Sequence, residues 1–337
     1  MQRDIRACII SLNIIIFIIP VRKLYRKGKK MFKYIVKRLA IGFLTILILA
    51  TITFFGVRAM PGDPFAQDNK VITPEAYEAM KAKYNLDKPV SQQYITFLIN
   101  AAKGDYGESI SKKGLLVSDI IAKRTPVSFR MGVMAFVVSM VIGLALGIFS
   151  ALSKKRWVNS LITLMTTLGV SIPGYLFAIG CMVLFAVKLG WVKVVGLKEP
   201  SQYILPVFAL SLGPISSITR LSRSSLRDVM GQDYITLARS KGTKETMVII
   251  KHGLKNALLP VITYAGPMFS GLVTGSLVIE SLFSIPGIGA EFTSSITNRD
   301  YTLVMGLTIF LGTLVVVMTL VSDIAAAIAD PRIKLDK

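Results

Sequence analysis

The chain contains six apolar segments, each close to the length that crosses a lipid bilayer. About 20 helical residues span the ~30 Å of hydrocarbon, and a helix satisfies its backbone hydrogen bonds internally, as a membrane requires. The pattern predicts an all-α membrane protein with six transmembrane helices from Met31 onward. These predicted spans are residues 39–57, 131–152, 161–187, 203–218, 258–279 and 303–324.

Prolines fall inside two of these spans. Pro173 and Gly174 interrupt the third span, and Pro206 and Pro214 are expected to interrupt the fourth. Backbone groups freed by such kinks must bond to neighbouring helices or to a water-lined cavity. The kinked spans therefore favour a bundle with a path through it.

Basic residues are concentrated at the ends of the apolar segments. Residues 1–38 contain 11 Lys or Arg against one acidic residue, and residues 220–255 contain eight against three. Because cytoplasmic segments carry such an excess, we expect these two segments, the 154–156 loop and the tail with Arg332 to be cytoplasmic. Both termini of this cell-membrane protein are then expected on the cytoplasmic side. The net charge of +21 does not indicate a nucleic-acid partner, because its residues form no aromatic-interleaved patch.

The spans divide the chain into four parts. Residues 1–30 form an extension whose apolar run, 9–21, is too short for a comfortable span and precedes no cleavage site. We interpret Met31 as the functional start, or the extension as dispensable. Residues 31–57 hold the N-terminal segment and first span, and 58–129 form a small extracytoplasmic cap with a helix from Pro74 after Thr73. Residues 130–337 form the core, with a cytoplasmic loop at 220–257.

Residues for catalysis or cofactor binding are missing from the sequence. It has no phosphate-binding Gly-x-x-x-x-Gly-Lys-Ser/Thr loop, no Ser/His/Asp set and no metal-ligand cluster around its single histidine, His252. Cys8 and Cys181 lie in apolar surroundings. We therefore expect no enzymatic activity and no cofactor or metal in this chain.

The loop between spans 4 and 5 carries the most informative pattern. A short helix at 233–242 ends at Gly242, which can take the positive φ of a helix terminus. A turn and a second helical stretch at 247–254 follow, and then Asn256 to Pro260 lead into span 5. The short helix could be a solvated amphipathic segment, or a lever that a soluble partner grips.

This loop resembles that of the permeases of bacterial ABC importers for peptides, which has the form (D/E)-Y-(V/I)-x-x-A-(R/K)-(A/S)-K-G and ends in N-A-L-L-P. In that family the helix is the coupling helix that docks on the ATPase subunit. The departure from the broader Glu-Ala-Ala consensus at 236–238 points to the peptide branch. The resemblance implies a coupling role for Asp233, Tyr234, Ala238, Arg239, Lys241 and Gly242.

Other stretches match the same family from Met31 onward, at 58–64, 104–109, 124–128, 171–174, 280–289 and 330–333. Within 280–289, the resemblance implies that Pro286, Gly287 and Gly289 belong to a re-entrant loop that contacts a binding protein; a plain turn is the alternative. Gly143 with Gly147, and Gly271 with Gly275, are interpreted as packing pairs, with subunit contact as the alternative. Glu280 and Asp323 lie near span ends, where a charge is expected to reach the interface.

The resemblance implies a type I ABC importer permease. It would form half of a pathway with a second, homologous permease, with two ATPase subunits that bind ATP and Mg²⁺ and an extracytoplasmic solute-binding protein. Peptides are the preferred prediction for the substrate, and nickel chelates, thiols or sugars are the alternatives. An ion-gradient-driven transporter would need ionisable residues in mid-span, and a membrane scaffold or sensor would need a signalling domain; the sequence shows neither.

Overall fold

The computed structural model describes residues 21–65, 73–193, 197 and 199–329. The first 20 residues of the extension and the 330–333 motif lie outside these ranges. Within them the regular elements are helices, and one bridge joins Glu108 to Leu116. The predicted all-α class is confirmed.

Thirteen helices follow each other along the described ranges. Short pieces extend three of them: Met182–Lys188 continues α6 as a π-helix, Pro200–Tyr203 precedes α7, and α9 joins Glu245–Met247, the π-helical Val248–Leu254 and Lys255–Ala257. The helices are α1 Val21–Arg58, α2 Pro74–Lys83, α3 Val90–Ala102, α4 Val117–Leu152, α5 Arg156–Ser171, α6 Gly174–Cys181, α7 Ile204–Met230, α8 Asp233–Ser240, α9 at 245–257, α10 Leu259–Val273, α11 Leu277–Leu282, α12 Ile288–Thr297 and α13 Tyr301–Ala329.

Five helical segments are long and apolar enough to cross a membrane: α1, α4, α7, α10 with α11, and α13. A sixth candidate is the pair of α5 and extended α6, which is bent by 104° at the break where Pro173 precedes the second helix. Proline disfavours helical geometry in the residue before it, so the chain breaks at Ile172. The predicted count of six requires this bent pair to cross as one span.

Two of the predicted span boundaries are wrong. Helix α4 begins at Val117, 14 residues before the predicted start at Met131, and continues through Pro126. Helix α7 is not interrupted by proline and runs to Met230, well past the predicted end of the fourth span at residue 218. Pro206 lies in the first turn of α7, where backbone N–H groups have no helical acceptor anyway. Pro214 removes only one hydrogen bond from a helix packed along its length against α4.

Glycines allow α4 and α7 to approach closely. A Cβ atom at Gly143 would lie 2.8 Å from Ile218 Cβ, and one at Gly147 would lie 1.8 Å from Ser222 Oγ. The packing role predicted for this pair is confirmed. Pairing Gly271 with Gly275 was wrong, because a Cβ at Gly271 would meet nothing within 4 Å.

The segment after span 1 packs on the bundle as an aromatic cluster. Phe54 of α1 lies against Tyr94 and Phe97 of α3, with ring centroids 5.1 and 5.7 Å apart. The helix predicted after Thr73 is confirmed as α2, whose Ala76 N–H donates to Thr73 Oγ1 at 3.4 Å. Helix α3 was not predicted.

The bundle has two distinct ends. We call the end formed by α2, α3, residues 103–116 and residues 283–300 the cap end. The 36 residues of α4 separate it from the 154–156 loop. Glu245 of α9 is close enough to Lys154 for their charges to interact, so the loop and the α8–α9 hairpin share the other end, which we call the basic end.

Candidate functional site

At the basic end, α8 ends as the sequence predicts. The Gly242 N–H donates to the Arg239 carbonyl at 2.9 Å, and the Thr243 N–H donates to the Ala238 carbonyl at 3.3 Å. This hydrogen-bond pair defines a Schellman motif, in which the residue after the cap takes left-handed geometry. Gly242 has φ +76, so an L-residue would be strained there even though the space around it is open.

One face of α8 is buried against α9. Ile235 and Val248 are completely buried and Ala238 is nearly so, with Met230 packed beside them. Of the predicted coupling residues, Ala238 therefore belongs to this small core. It holds the hairpin together and does not present itself to a partner.

The opposite face of α8 is exposed. Asp233, Tyr234, Arg239 and Lys241 all lie on the surface. Leu237 lies among them with 57% of its surface exposed, and the sequence analysis did not assign it a role. Helical spacing could have found it, because residues 234 and 237 share a helix face.

Two polar contacts tie α8 to α9. The Arg239 guanidinium pairs with both carboxylate oxygens of Glu245, at 3.0 and 2.7 Å. This pairing raises the pKa of Arg239 and lowers the pKa of Glu245. Asn256 Nδ2 donates to Tyr234 Oη at 3.0 Å. The second contact joins the two halves of the sequence motif directly.

At the cap end, the glycines of the 280–289 stretch surround a carboxylate. Gly287 and Gly289 are buried, and Pro286 alone of the three predicted loop residues is exposed. The Gly289 N–H donates to Glu280 Oε2 at 2.8 Å. A Cβ at Gly287 would lie 2.3 Å from that oxygen. The two glycines therefore serve internal packing, while contact with a binding protein stays a prediction for Pro286.

Glu280 corrects the expectation that its charge reaches the membrane interface, because it is completely buried. The N-terminus of α12 folds over it, and Ala290 donates a second backbone hydrogen bond to Glu280 Oε2 at 3.2 Å. Backbone N–H groups at a helix N-terminus stabilise an anion. Asp323 is partly exposed near the end of α13, and Arg38 of α1 lies 3.1 Å from its carboxylate.

Asp300 is a buried carboxylate that the sequence analysis missed. It accepts hydrogen bonds from Ser109, Ile110, Ser111, Thr302 and Leu303, the backbone N–H and the hydroxyl of Ser111 both donating. Burial alone would raise the pKa of Asp300, but these hydrogen bonds hold it below its usual range. An Asp directly before an apolar helix is a helix-cap signal that could have identified it.

Metal-binding side chains do not gather at either end. Among residues 21–65, 73–193, 197 and 199–329, no three His, Cys, Asp or Glu side chains could hold an ion together. What the basic end does offer is an exposed helical hairpin attached to the base of α10.

Two family profiles match the chain. Residues 143–335 match the binding-protein-dependent transport system inner membrane component. Residues 31–131 match the N-terminal part of the membrane component of such systems. Together with the apolar helices, these matches define a multi-pass inner-membrane permease subunit of an ABC importer.

Individual relatives agree along nearly the whole chain. The oligopeptide transport system permease protein OppB of Haemophilus influenzae is 40% identical over 307 residues, which cover 90% of this chain and 100% of the relative. The dipeptide transport system permease protein DppB is 39% identical in Lactococcus lactis, over 90% of this chain and 100% of the relative. In Bacillus subtilis DppB is 39% identical over 91% and 99%. The chain belongs to the family of inner-membrane components of binding-protein-dependent transport systems.

Proposed function

We propose that the chain is one of two homologous permeases in an ATP-driven importer of oligopeptides or dipeptides. Each permease forms half of the pathway through the lipid bilayer. The peptide class is supported by the relatives, which are named as oligopeptide and dipeptide permeases over their full or nearly full length.

The α8–α9 hairpin is the observation that carries the coupling role. Its inner face is fixed by Ile235, Ala238 and Val248, while Tyr234 and Leu237 are exposed. Asn256, at the end of α9 and just before α10, is hydrogen-bonded to Tyr234. Motion of a subunit that grips α8 is therefore passed to a membrane helix through a short, packed connection. In this proposal that subunit is an ATPase, and the two ATPases bind the ATP and Mg²⁺.

The orientation follows from charge. The basic end faces the cytoplasm, where segments rich in Lys and Arg remain, and both termini lie on that side. The cap end then faces outward, where a solute-binding protein would contact the exposed Pro286 and the surface around it. Transport proceeds by alternating access, which requires that ATP and solute each favour one of two conformations.

Co-purification from native membranes, followed by reconstitution in lipid vesicles, tests the proposal. We expect a second permease, ATP-binding subunits and a binding protein to accompany the tagged chain. Peptide uptake by the vesicles should require ATP. Uptake by the chain alone without ATP would contradict the proposal.

A surface variant tests the coupling face separately. Leu237→Ala should weaken recovery of the ATPase subunits, because it removes an exposed apolar side chain from α8. Ile95→Ala is the matched control, since Ile95 is 57% exposed at the cap end. Equal loss of the ATPases in both variants, or in neither, would contradict the assignment of α8.

A further inference from the structure

The position of Arg220 along α7 follows from the packing of α7 against α4. Gly143 and Gly147 of α4 lie against Ile218 and Ser222 of α7, so Arg220 is level with the stretch between those glycines. That stretch is five to nine residues from Leu152, the last residue of α4. At 1.5 Å per residue, the Arg220 backbone lies about 8 to 14 Å inside the basic end.

The Arg220 guanidinium is exposed, and it has no bonding partner among the described residues. In the part of the chain that the structure describes, no carboxylate, carbonyl or hydroxyl group bonds to it. Arg223, one turn further along α7, differs because it donates a hydrogen bond to Thr163 Oγ1 of α5. Arg223 therefore has a hydrogen-bond acceptor within the chain, whereas the N–H donors of the Arg220 guanidinium remain available to a ligand.

A wide, shallow cavity of about 370 Å³, open to the surface and not enclosed, lies at this position and is lined by Ser217, Arg220, Leu221, Ser224 and Tyr264. Three of the lining side chains carry hydroxyl groups, and that of Ser224 already donates to the Arg220 and Leu221 carbonyls. Other spans expose large hydrophobic side chains, as at Phe43 and Val141. A charged side chain facing lipid is unfavourable; in the proposed importer this face of α7 therefore turns toward the second permease and the aqueous path between the two subunits.

The chemistry of the cavity matches an anion with hydrogen-bond acceptors. A guanidinium binds a carboxylate through two parallel N–H···O bonds, and hydroxyl groups can donate to the same oxygens. Every linear peptide with an unblocked end carries one such carboxylate, whatever its side chains. One fixed cation is therefore enough to recognise the common part of a variable substrate.

We propose that Arg220, with the hydroxyl groups of Ser217 and Tyr264, binds the C-terminal carboxylate of the peptide during its passage through the bundle. This inference rests on the proposed function, because it requires that the transported solute is a peptide. The site binds the peptide only transiently, since a transported substrate must leave it as readily as it enters.

The test compares trialanine with trialanine amide, two peptides that differ only at the C-terminus. ATP-driven uptake of each is measured in vesicles that contain the complete importer, with wild-type chain, Arg220→Gln, Arg220→Lys or Arg227→Gln. The same binding protein is present throughout, so its own preference cancels in comparisons between variants. Arg227 is the matched control, because it is exposed on the same face of α7 two turns nearer the basic end.

We expect Arg220→Gln to reduce uptake of the free acid roughly tenfold, in line with the loss of a charge-assisted hydrogen bond. Uptake of the amide should stay at the wild-type rate, which also shows that the variant is folded and coupled. Uptake of the free acid by Arg220→Lys should lie between that of wild type and Arg220→Gln, because lysine keeps the charge but cannot form two parallel hydrogen bonds to a carboxylate. Arg227→Gln should leave the ratio of acid to amide uptake unchanged.

Three outcomes would overturn the inference. If Arg220→Gln changes the uptake of both peptides equally, or of neither, the guanidinium does not bind the carboxylate. An equal change that occurs only in vesicles with anionic phospholipid would instead assign Arg220 to a lipid headgroup. If the wild-type importer takes up neither peptide with ATP, the proposed function fails and this inference fails with it.

Discussion

At the cap end, the carboxylate of Asp300 is completely buried and accepts six hydrogen bonds from two segments of the chain. At the basic end, the carboxylate of Glu245 is exposed and is held by Arg239. Glu291, also at the cap end, is 5% exposed and pairs with both Lys112 and Arg124. The cap end thus contains buried carboxylates that join segments of the chain, whereas the Arg239–Glu245 pair at the basic end is a surface contact.

The difference indicates how each end can serve a transporter. Buried, fully bonded carboxylates fix the relative positions of the segments around them, because breaking such contacts leaves polar groups unsatisfied. An exposed pair can rearrange at little cost when a partner arrives. The cap end is built as a rigid platform, and the basic end keeps its polar groups available for a subunit that moves.

The largest expected effect is on Asp300. Replacing it by alanine leaves buried hydroxyl and backbone N–H groups without an acceptor, so we expect the free energy of unfolding to fall by about 3 kcal/mol or more. Thermal unfolding of the purified chain in detergent measures this. Asp87→Ala, at an exposed position of the same end, should change little. Equal stability of the two variants would remove the contrast between the ends.

The same carboxylate gives a pH test. Since the pKa of Asp300 is lower in the folded protein, its contribution to stability is fully present above its ordinary pKa and is lost as the pH falls through the lowered value. The difference in unfolding temperature between wild type and Asp300→Asn should therefore be constant near neutral pH and shrink in acid. A difference that grows in acid would contradict the assignment.

Gly287→Ala is expected to have the next largest effect. The new methyl group would lie 2.3 Å from Glu280 Oε2 and 2.5 Å from Ser128 Oγ, and the buried carboxylate has little room to move away. Overpacking of this kind costs about 1–3 kcal/mol in unfolding free energy. Gly180→Ala is the control, because a Cβ there meets nothing within 4 Å. If the unfolding temperatures of the two variants match, the platform is not tightly packed.

Gly242→Ala should cost less stability, about 1–2 kcal/mol, because positive φ is the only obstacle at this open position. Gly242→Asn should be tolerated better, since Asn adopts left-handed geometry more readily.

Gly242→Pro and Gly242→Asp should abolish uptake while the chain remains in the membrane; proline removes the N–H that donates to the Arg239 carbonyl. Normal uptake by either variant would contradict a coupling role for this helix end.

The smallest expected effect is on the Arg239–Glu245 pair. Both side chains are exposed, so solvent screens their attraction, and Arg239→Gln should leave the unfolding temperature of the isolated chain nearly unchanged. Its effect should appear only in the assembled importer, as lower ATP hydrolysis. Exchange of the two charges in Arg239→Glu with Glu245→Arg separates loss of the pair from loss of an ATPase contact. A large fall in unfolding temperature would mean that the basic end is as rigid as the cap end.

Much of the basic end was predictable because its pattern is local. The helix at 233–240, its end at Gly242 and its link to Asn256 lie within 24 residues, and helix ends have local rules. Helix α2 was found by the same kind of signal at Thr73. The cap end was less predictable, because Asp300 meets residues 190 positions away. The roles of Gly287 and Glu280 likewise depend on Ser128, 160 positions from the Ile288 N–H that bonds to it.

The sequence by itself determined the helical class, the apolar segments, the distribution of basic residues and the form of the α8–α9 hairpin. Each follows from helix geometry, from hydrophobicity or from short-range hydrogen bonding. Only the tertiary structure decided that α7 continues through Pro214, that Glu280 is buried beneath Gly287, and that Arg220 faces a cavity. The physical reason is that packing and burial depend on which distant segments come into contact, and a local pattern of residue types does not specify those long-range contacts.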